Sequence, residues 1–270
     1  MRIVPLTPAI GAEVSGADLS QPIPAGLWEE IHRAFLRHQV LFFREQARLS
    51  PEAQLRFGRL FGEPHLHPAA PSLEGYPEIM VVHADRDSKK HFGEVWHSDV
   101  SCDPEPPSST ILQMHVLPPT GGDTLFASMY AAWEALSPAL QAFLAGLTAE
   151  HESEHYYRGR YAGVSEAGKI YPRAEHPVVT THPETGRRVI FVNPMFTTRI
   201  RELNPEESRG ILQLLFDHTR NPYYQVRYRW RENDVAVWDN RCTQHLAVWD
   251  YWPHERRGHR VTIRGTRPRS

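Results

Sequence analysis

Cysteine is scarce: the 270 residues contain two, Cys102 and Cys242. That is too few for a disulfide scaffold, and they lie too far apart for a CxxC metal or redox site. Such usage suits a reducing compartment, so a cytoplasmic location is expected. An excess of one charge is lacking too, since 30 Lys and Arg against 32 Asp and Glu leave a formal net charge of −2. Bulk attraction to nucleic acid needs a basic face, although a local basic pocket is compatible with this balance. The stretch Met1-Arg2-Ile3-Val4-Pro5 lacks the apolar run of about 7–15 residues that marks a secretory signal. No segment approaches the roughly 20 apolar residues of a membrane span. Repeats, linkers and low-complexity tracts are missing as well. The expectation is one domain over residues 1–270, with neither nucleic acid nor membrane as a partner. A homo-oligomer, dimer or tetramer, is expected.

What is present is an ordinary globular composition, 40% hydrophobic and 23% charged, with enough chain for a substantial core. Residues 3–20 read as short strands and turns around Gly11, Gly16 and Asp18. Pro24 to His38 carries Trp28, Ile31, Ala34 and Phe35 at helical spacing. Val40 to Phe43 reads as a buried strand. Ser50-Pro51-Glu52 opens a second helix that Gly62 stops. Residues 77–83 and Thr110 to Val116 read as strands. Ser128 to Leu136 and Pro138 to Leu147 read as helices, the latter with Leu140, Phe143, Leu144 and Leu147 inside. Pro177–Thr181 and Arg188–Asn193 form a hairpin. Asn204-Pro205-Glu206-Glu207 starts a helix burying Ile211, Leu212, Leu214 and Leu215. Tyr224–Trp230 alternates strictly, and Val235–Trp238 and Gly258–Gly265 close the chain as strands. Two stretches without periodicity, 85–93 and 151–175, are expected to be active-site lid loops. Strands dominate, with helices set apart. The fold class is therefore mainly β with flanking helices, a sandwich or jelly-roll barrel.

The chemistry-bearing residues fall in three places. In Trp96-His97-Ser98-Asp99, a strand's alternation points His97 and Asp99 into one cavity. An imidazole and a carboxylate there form two thirds of the 2-His-1-carboxylate face that holds non-haem Fe(II). Taken alone, a His-x-Asp pair arises by chance, and His245 is one of 16 histidines. Their joint occurrence in a β-rich chain, each read as sitting at a strand end before a turn, favours a metal triad. Zinc accepts the same donors, but three open positions suit Fe(II) with a bidentate co-substrate and O2 better. Arg256 and Arg260 lie four apart on the last strand, so both face one side. Guanidinium forks match carboxylate and sulfonate, and two of them suit one anion on a co-substrate and one on a substrate. Thr124, after Gly121-Gly122, adds a hydroxyl donor.

The blocks Trp96-His97-Ser98-Asp99, Gly121-Gly122-Asp123-Thr124 and Trp238-Asp239-Asn240-Arg241 through Gln244-His245, Asp250-Tyr251, Arg256 and Arg260 resemble the taurine/2,4-dichlorophenoxyacetate (TauD/TfdA) family. Its members are Fe(II)- and 2-oxoglutarate-dependent dioxygenases. The match begins at Gly11-Ala12-Glu13-Val14-Ser15-Gly16-Ala17-Asp18-Leu19 and covers nearly the whole chain. The resemblance implies a double-stranded β-helix (jelly-roll) core, with His97, Asp99 and His245 as ligands of Fe(II). It implies that Thr124 and Arg256 bind the distal carboxylate of 2-oxoglutarate, with O2 as the second co-substrate. Arg260, His67 and the backbone of Val100 would face the anionic end of the substrate, and Phe196 would line the pocket.

Two positions depart from the taurine enzymes, which carry a Tyr and an Asn where this chain has Ala70 and Gly93. Both polar partners for an amine are gone, so the resemblance does not carry taurine over as substrate. The expected activity is hydroxylation of a small anionic organic substrate, an alkyl or aryl sulfonate, sulfate ester or carboxylate, with release of succinate and CO2. Two other classes use the same residues differently. One is a zinc hydrolase built on the triad, the other a non-catalytic anion-binding jelly roll; neither the Arg pair nor Thr124 follows from the first.

Overall fold

The computed structural model describes residues 1–66, 71–88, 93–159 and 170–270. Its framework is a nine-stranded sheet in which Val235–Asp239 lies between Val40–Phe43 and Ser109–Val116. Next to Ser109–Val116 runs the last strand, Arg256–Ile263, which also pairs with Tyr76–Ala84. A smaller sheet, ordered Gln225–Tyr228, Thr124–Ser128, Thr243–Ala247, faces it.

The apolar run Val40-Leu41-Phe42-Phe43 is buried on both sides because each face of the large sheet is covered. Leu41 and Phe43 join Val235 and Val237 beneath helices Ala25–His38 and Pro51–Gly58. Val40 and Phe42 join Ala236 and Trp238 on the opposite face, against Phe126, Val226 and Tyr228 of the small sheet. Phe42 and Tyr228 stack there with centroids 3.7 Å apart. A third cluster sits under the helices Met129–Glu134 and Pro205–Thr219. Two sheets closing on one core with helices outside is the jelly-roll arrangement expected.

Helix starts follow their caps. Ser50, Ser128, Ser137 and Asn204 each accept a backbone N–H through the side chain, and Asn204 with Glu207 closes a full capping box. Two expected core residues are not inside: Phe143 and Leu214 are 45% and 46% exposed. Their helices are short or lie at the edge, so only part of the apolar stripe meets a partner. The second helix ends at Gly58, ahead of Gly62, which has φ 140°.

The stretch 151–175 is not simply a loop. Thr148–Glu152 and Arg173–Pro177 pair antiparallel, and Glu154–Tyr157 forms a helical turn; residues 160–169 lie outside the described residues. Of 85–93, residues 89–92 lie outside them. Strands Thr148–Glu152 and Thr197–Ile200 went unread in the sequence because Glu150, His151 and Thr197, polar residues, occupy buried positions in them. No described helix is long and apolar enough to cross a membrane.

Candidate metal centre and anion pocket

His97 and Asp99 do not share a strand. His97 makes only an isolated bridge to His245, through His97 N to His245 O (3.1 Å) and His245 N to His97 O (2.8 Å). Asp99 sits in the turn that follows, and Val100 takes a left-handed φ of 45°. That conformation is unfavourable for a β-branched residue and here reverses the chain immediately after the carboxylate. His245, read as ending a strand, is the third residue of the five-residue strand Thr243–Ala247. The backbone bridge, rather than strand alternation, brings the two imidazoles together, tilted by 46° with centroids 4.1 Å apart.

The three side chains converge. Asp99 Oδ1 lies 3.5 Å from His97 Nε2 and 3.6 Å from His245 Nε2, and all three residues are buried. His97 Nδ1 contacts the Val95 carbonyl at 2.8 Å. Since a carbonyl only accepts, Nδ1 carries a proton and Nε2 is the ring nitrogen left to face the site. Burial and the neighbouring His97 hold the His245 imidazole well below its ordinary pKa, hence neutral. Burial opposes ionisation of Asp99, but the Arg260 guanidinium and both imidazoles outweigh it and hold the carboxyl well below the usual range. Two imidazoles and one carboxylate are the donor set that suits a divalent iron, so the residues fit the ion.

They open on a cavity of about 430 Å3. Arg256 is 2% exposed within its wall, and burial depresses its pKa. Its Nε donates to the Gly122 carbonyl at 3.1 Å, and it makes no ion pair with a described carboxylate. Gly122 has φ 70°, and a Cβ there would stand 3.2 Å from Arg256 Cδ, so the Gly-Gly turn is what lets the guanidinium in. Thr124 Oγ1 accepts from Trp230 Nε1 at 3.0 Å, which leaves the Thr124 proton free to be donated. Arg260 lines the same cavity and places Nη2 2.6 Å from Asp99 Oδ2. The N–H is not aligned as a hydrogen bond, so the contact is ionic.

The remaining lining is largely apolar. Phe196 stands edge-on to His97 with centroids 6.4 Å apart, and packs with Val100, Tyr156, Tyr157 and Met195. The two tyrosines and Met195 escaped the sequence reading, lying in segments without periodicity. Gly93, φ 83°, abuts the first histidine: a Cβ would meet His97 Cε1 at 3.3 Å. The absent side chain thus bares the His97 ring rather than opening a distant void. The Gly93 N–H is held by the Tyr156 hydroxyl at 3.0 Å. His67 and Ala70 lie outside the described residues.

A second buried group, His182, Asp239 and Cys242, has ligand types at ligand spacing. Arg241 already grips both Asp239 oxygens, at 2.8 and 2.7 Å. His182 Nδ1 accepts from two backbone N–H groups, so its Nε2 carries the proton and donates to Asp239 at 3.0 Å. The carboxylate is saturated by donors, and the group is an ion-pair anchor.

The chain matches the family model described as "Taurine catabolism dioxygenase TauD, TfdA family" over residues 2–262. An alkylsulfatase of Acinetobacter baylyi is 35% identical over 274 residues, covering 98% of this chain and 85% of that protein. An alpha-ketoglutarate-dependent sulfate ester dioxygenase of Pseudomonas putida is 34% identical, covering 99% and 91%. The crystal structure of a taurine dioxygenase from Burkholderia xenovorans superposes with a TM-score of 0.86 at 36% identity, covering 99% of this chain and 90% of that one.

Proposed function

The chain belongs to the TauD/TfdA family of Fe(II)- and 2-oxoglutarate-dependent dioxygenases, and on that premise we propose that its substrate is an organic anion with an uncharged apolar tail, a sulfate ester or sulfonate above a carboxylate. The observation that carries this is the pocket itself. Its two guanidiniums offer two anion subsites, while Asp99, a metal ligand in this reading, is the one carboxylate lining it among the described residues. An ammonium such as that of taurine would lose water there without gaining a partner, which is costly.

His97, Asp99 and His245 would hold the iron. Iron with 2-oxoglutarate and O2, when bound, supplies the oxidation that converts a substrate C–H to C–OH while succinate and CO2 are released. Arg256 and the Thr124 hydroxyl bind and orient the distal carboxylate of 2-oxoglutarate from the cavity wall. Arg260 receives the substrate anion. Because the same guanidinium touches Asp99, it tethers that anion one side chain from the metal ligands. Phe196, Tyr156 and Met195 enclose the tail and exclude water, each buried CH2 contributing about 0.8 kcal/mol. The backbone of Val100 would face the anion, the bare Gly93 offers no side chain to an amine, and at position 70 the sequence supplies alanine in place of a polar side chain. Where the hydroxylated carbon bears a sulfate-ester oxygen, the product collapses to a carbonyl compound and releases sulfate.

A single domain over residues 1–270 follows from the same reading. A cytoplasmic location is supported by the two free, buried cysteines; the homo-oligomer is a proposal that sedimentation tests. The test of the substrate reading is competition at equal concentrations between taurine and an uncharged alkyl sulfate, alkylsulfonate and aryloxy acid, following product and succinate together. The apolar anions are expected to win in kcat/KM; a win for taurine would mean that another residue supplies the amine contacts.

A further inference from the structure

Asp99 has two oxygens with different surroundings. Oδ1 faces both histidines, whereas Oδ2 receives the Thr110 hydroxyl at 2.7 Å and lies 2.6 Å from Arg260 Nη2. Thr110 is fully buried in the strand Ser109–Val116, beside Trp238 on the neighbouring strand. Behind it stands Asn240, 2% exposed, just past the end of Val235–Asp239.

The direction of every proton in this group follows from donor chemistry. The Trp238 indole N–H can only donate, and it points at an Asn240 side-chain atom 3.0 Å away. That atom must therefore be the amide oxygen, which also lies 3.4 Å from the Asp99 N–H. The Asn240 NH2 is then turned to Thr110 Oγ1, at 2.9 Å. With its oxygen accepting from Asn240, the Thr110 hydroxyl aims its hydrogen at Asp99 Oδ2. Trp238, Asn240, Thr110 and Asp99 form one polarised chain with no alternative orientation.

We infer that Thr110 and Asn240 are positioning residues that hold Asp99 as a one-oxygen ligand. The Thr110 hydroxyl takes one lone-pair direction of Oδ2, and the Arg260 guanidinium, pressed 2.6 Å against the same oxygen as an ionic contact, covers its open side. A metal held by the triad would be offered Oδ1 alone. The position that a two-oxygen carboxylate would consume stays open for the chelating co-substrate. This rests on His97, Asp99 and His245 being the metal ligands, and deepens that reading.

The experiment is anaerobic titration of the full chain with Fe(II) and with Co(II), whose visible spectrum reports coordination number and geometry. Thr110→Val keeps the shape and removes the hydroxyl. It is expected to weaken metal binding roughly 10- to 100-fold and to move the Co(II) bands towards those of a more highly coordinated ion. Thr110→Ser restores the donor and should bind and absorb like the parent. Asn240→Leu should act in the same direction as Thr110→Val and add little on top of it in the double variant, since both break one chain. Should Thr110→Val not fold, Asn240→Leu against Thr110→Ser makes the same comparison. Parent-like affinity and spectrum in folded Thr110→Val, or full additivity of the two substitutions, overturns the relay alone. A parent chain that binds neither ion overturns the triad reading beneath it.

Discussion

Arg256→Met separates a binding role from a structural one by its sign. The guanidinium is buried without a carboxylate partner among the described residues, fixed by one hydrogen bond to Gly122 O at 3.1 Å and by the Trp230 ring 5.9 Å from its Cζ. A lone buried cation is costly to the empty protein, so replacing it with a side chain of similar length should not lower apo stability by more than the one hydrogen bond, about 1 kcal/mol. Binding should suffer far more. Removing one partner of a buried, hydrogen-bonded charge pair costs about 2–5 kcal/mol, roughly thirty- to several-thousandfold in Kd for 2-oxoglutarate. Held at a concentration of about 100 times its Kd, 2-oxoglutarate stabilises the parent by about 2.7 kcal/mol; a thirtyfold weaker variant keeps less than about 1 kcal/mol. The assay is urea denaturation of the Co(II) form under nitrogen, with and without 2-oxoglutarate, beside calorimetric titration. A variant that loses more than about 3 kcal/mol when empty, or that keeps the full stabilisation by 2-oxoglutarate, would show that Arg256 is a packing residue.

Alanine at His97, Asp99 or His245 should each abolish turnover together with stoichiometric iron, because the triad has no spare donor; metal analysis after purification in iron checks this, and retained iron with a near-parent rate would remove that residue from the triad. Arg260→Gln should weaken the substrate anion by about ten- to hundredfold and 2-oxoglutarate clearly less, through its contact with Asp99 alone, whereas equal losses for both ligands would mean that the two guanidiniums do not divide the work. His115 is buried beside His259, with ring centroids 4.4 Å apart, and near Arg48 and Arg257; burial first and these neighbours second lower its pKa from 6.5 to about 4. Unfolded, this imidazole takes a proton near pH 6.5, and folded only near 4, so unfolding takes up a proton between those values and stability falls as pH drops through them. His115→Phe should flatten that part of the stability curve in urea melts, and an unchanged slope would assign the acid sensitivity elsewhere.

The sequence by itself determined which residue types are available to the candidate site. Ligand types such as His97, Asp99 and His245, and paired forks such as Arg256 and Arg260, are legible because few other residues can do what they do. It also determined the amphipathic helices, their Ser and Asn caps, and the doubly buried strand Val40–Phe43, since periodicity and local hydrogen bonding are short-range. Only the tertiary structure decided how those residues meet. His97 reaches His245 through a backbone bridge between distant segments, and Asp99 faces them from a turn forced by a left-handed Val100; alternation along a strand had suggested a simpler route to the same cavity. The tyrosine wall of Tyr156 and Tyr157 and the proton order from Trp238 to Asp99 depend on contacts across the chain that leave no periodic trace. The same holds for exposure: Phe143 and Leu214 sit on correctly read helices yet face outward, because a helix's own pattern says which side is apolar, while its neighbours decide how much of that side is covered.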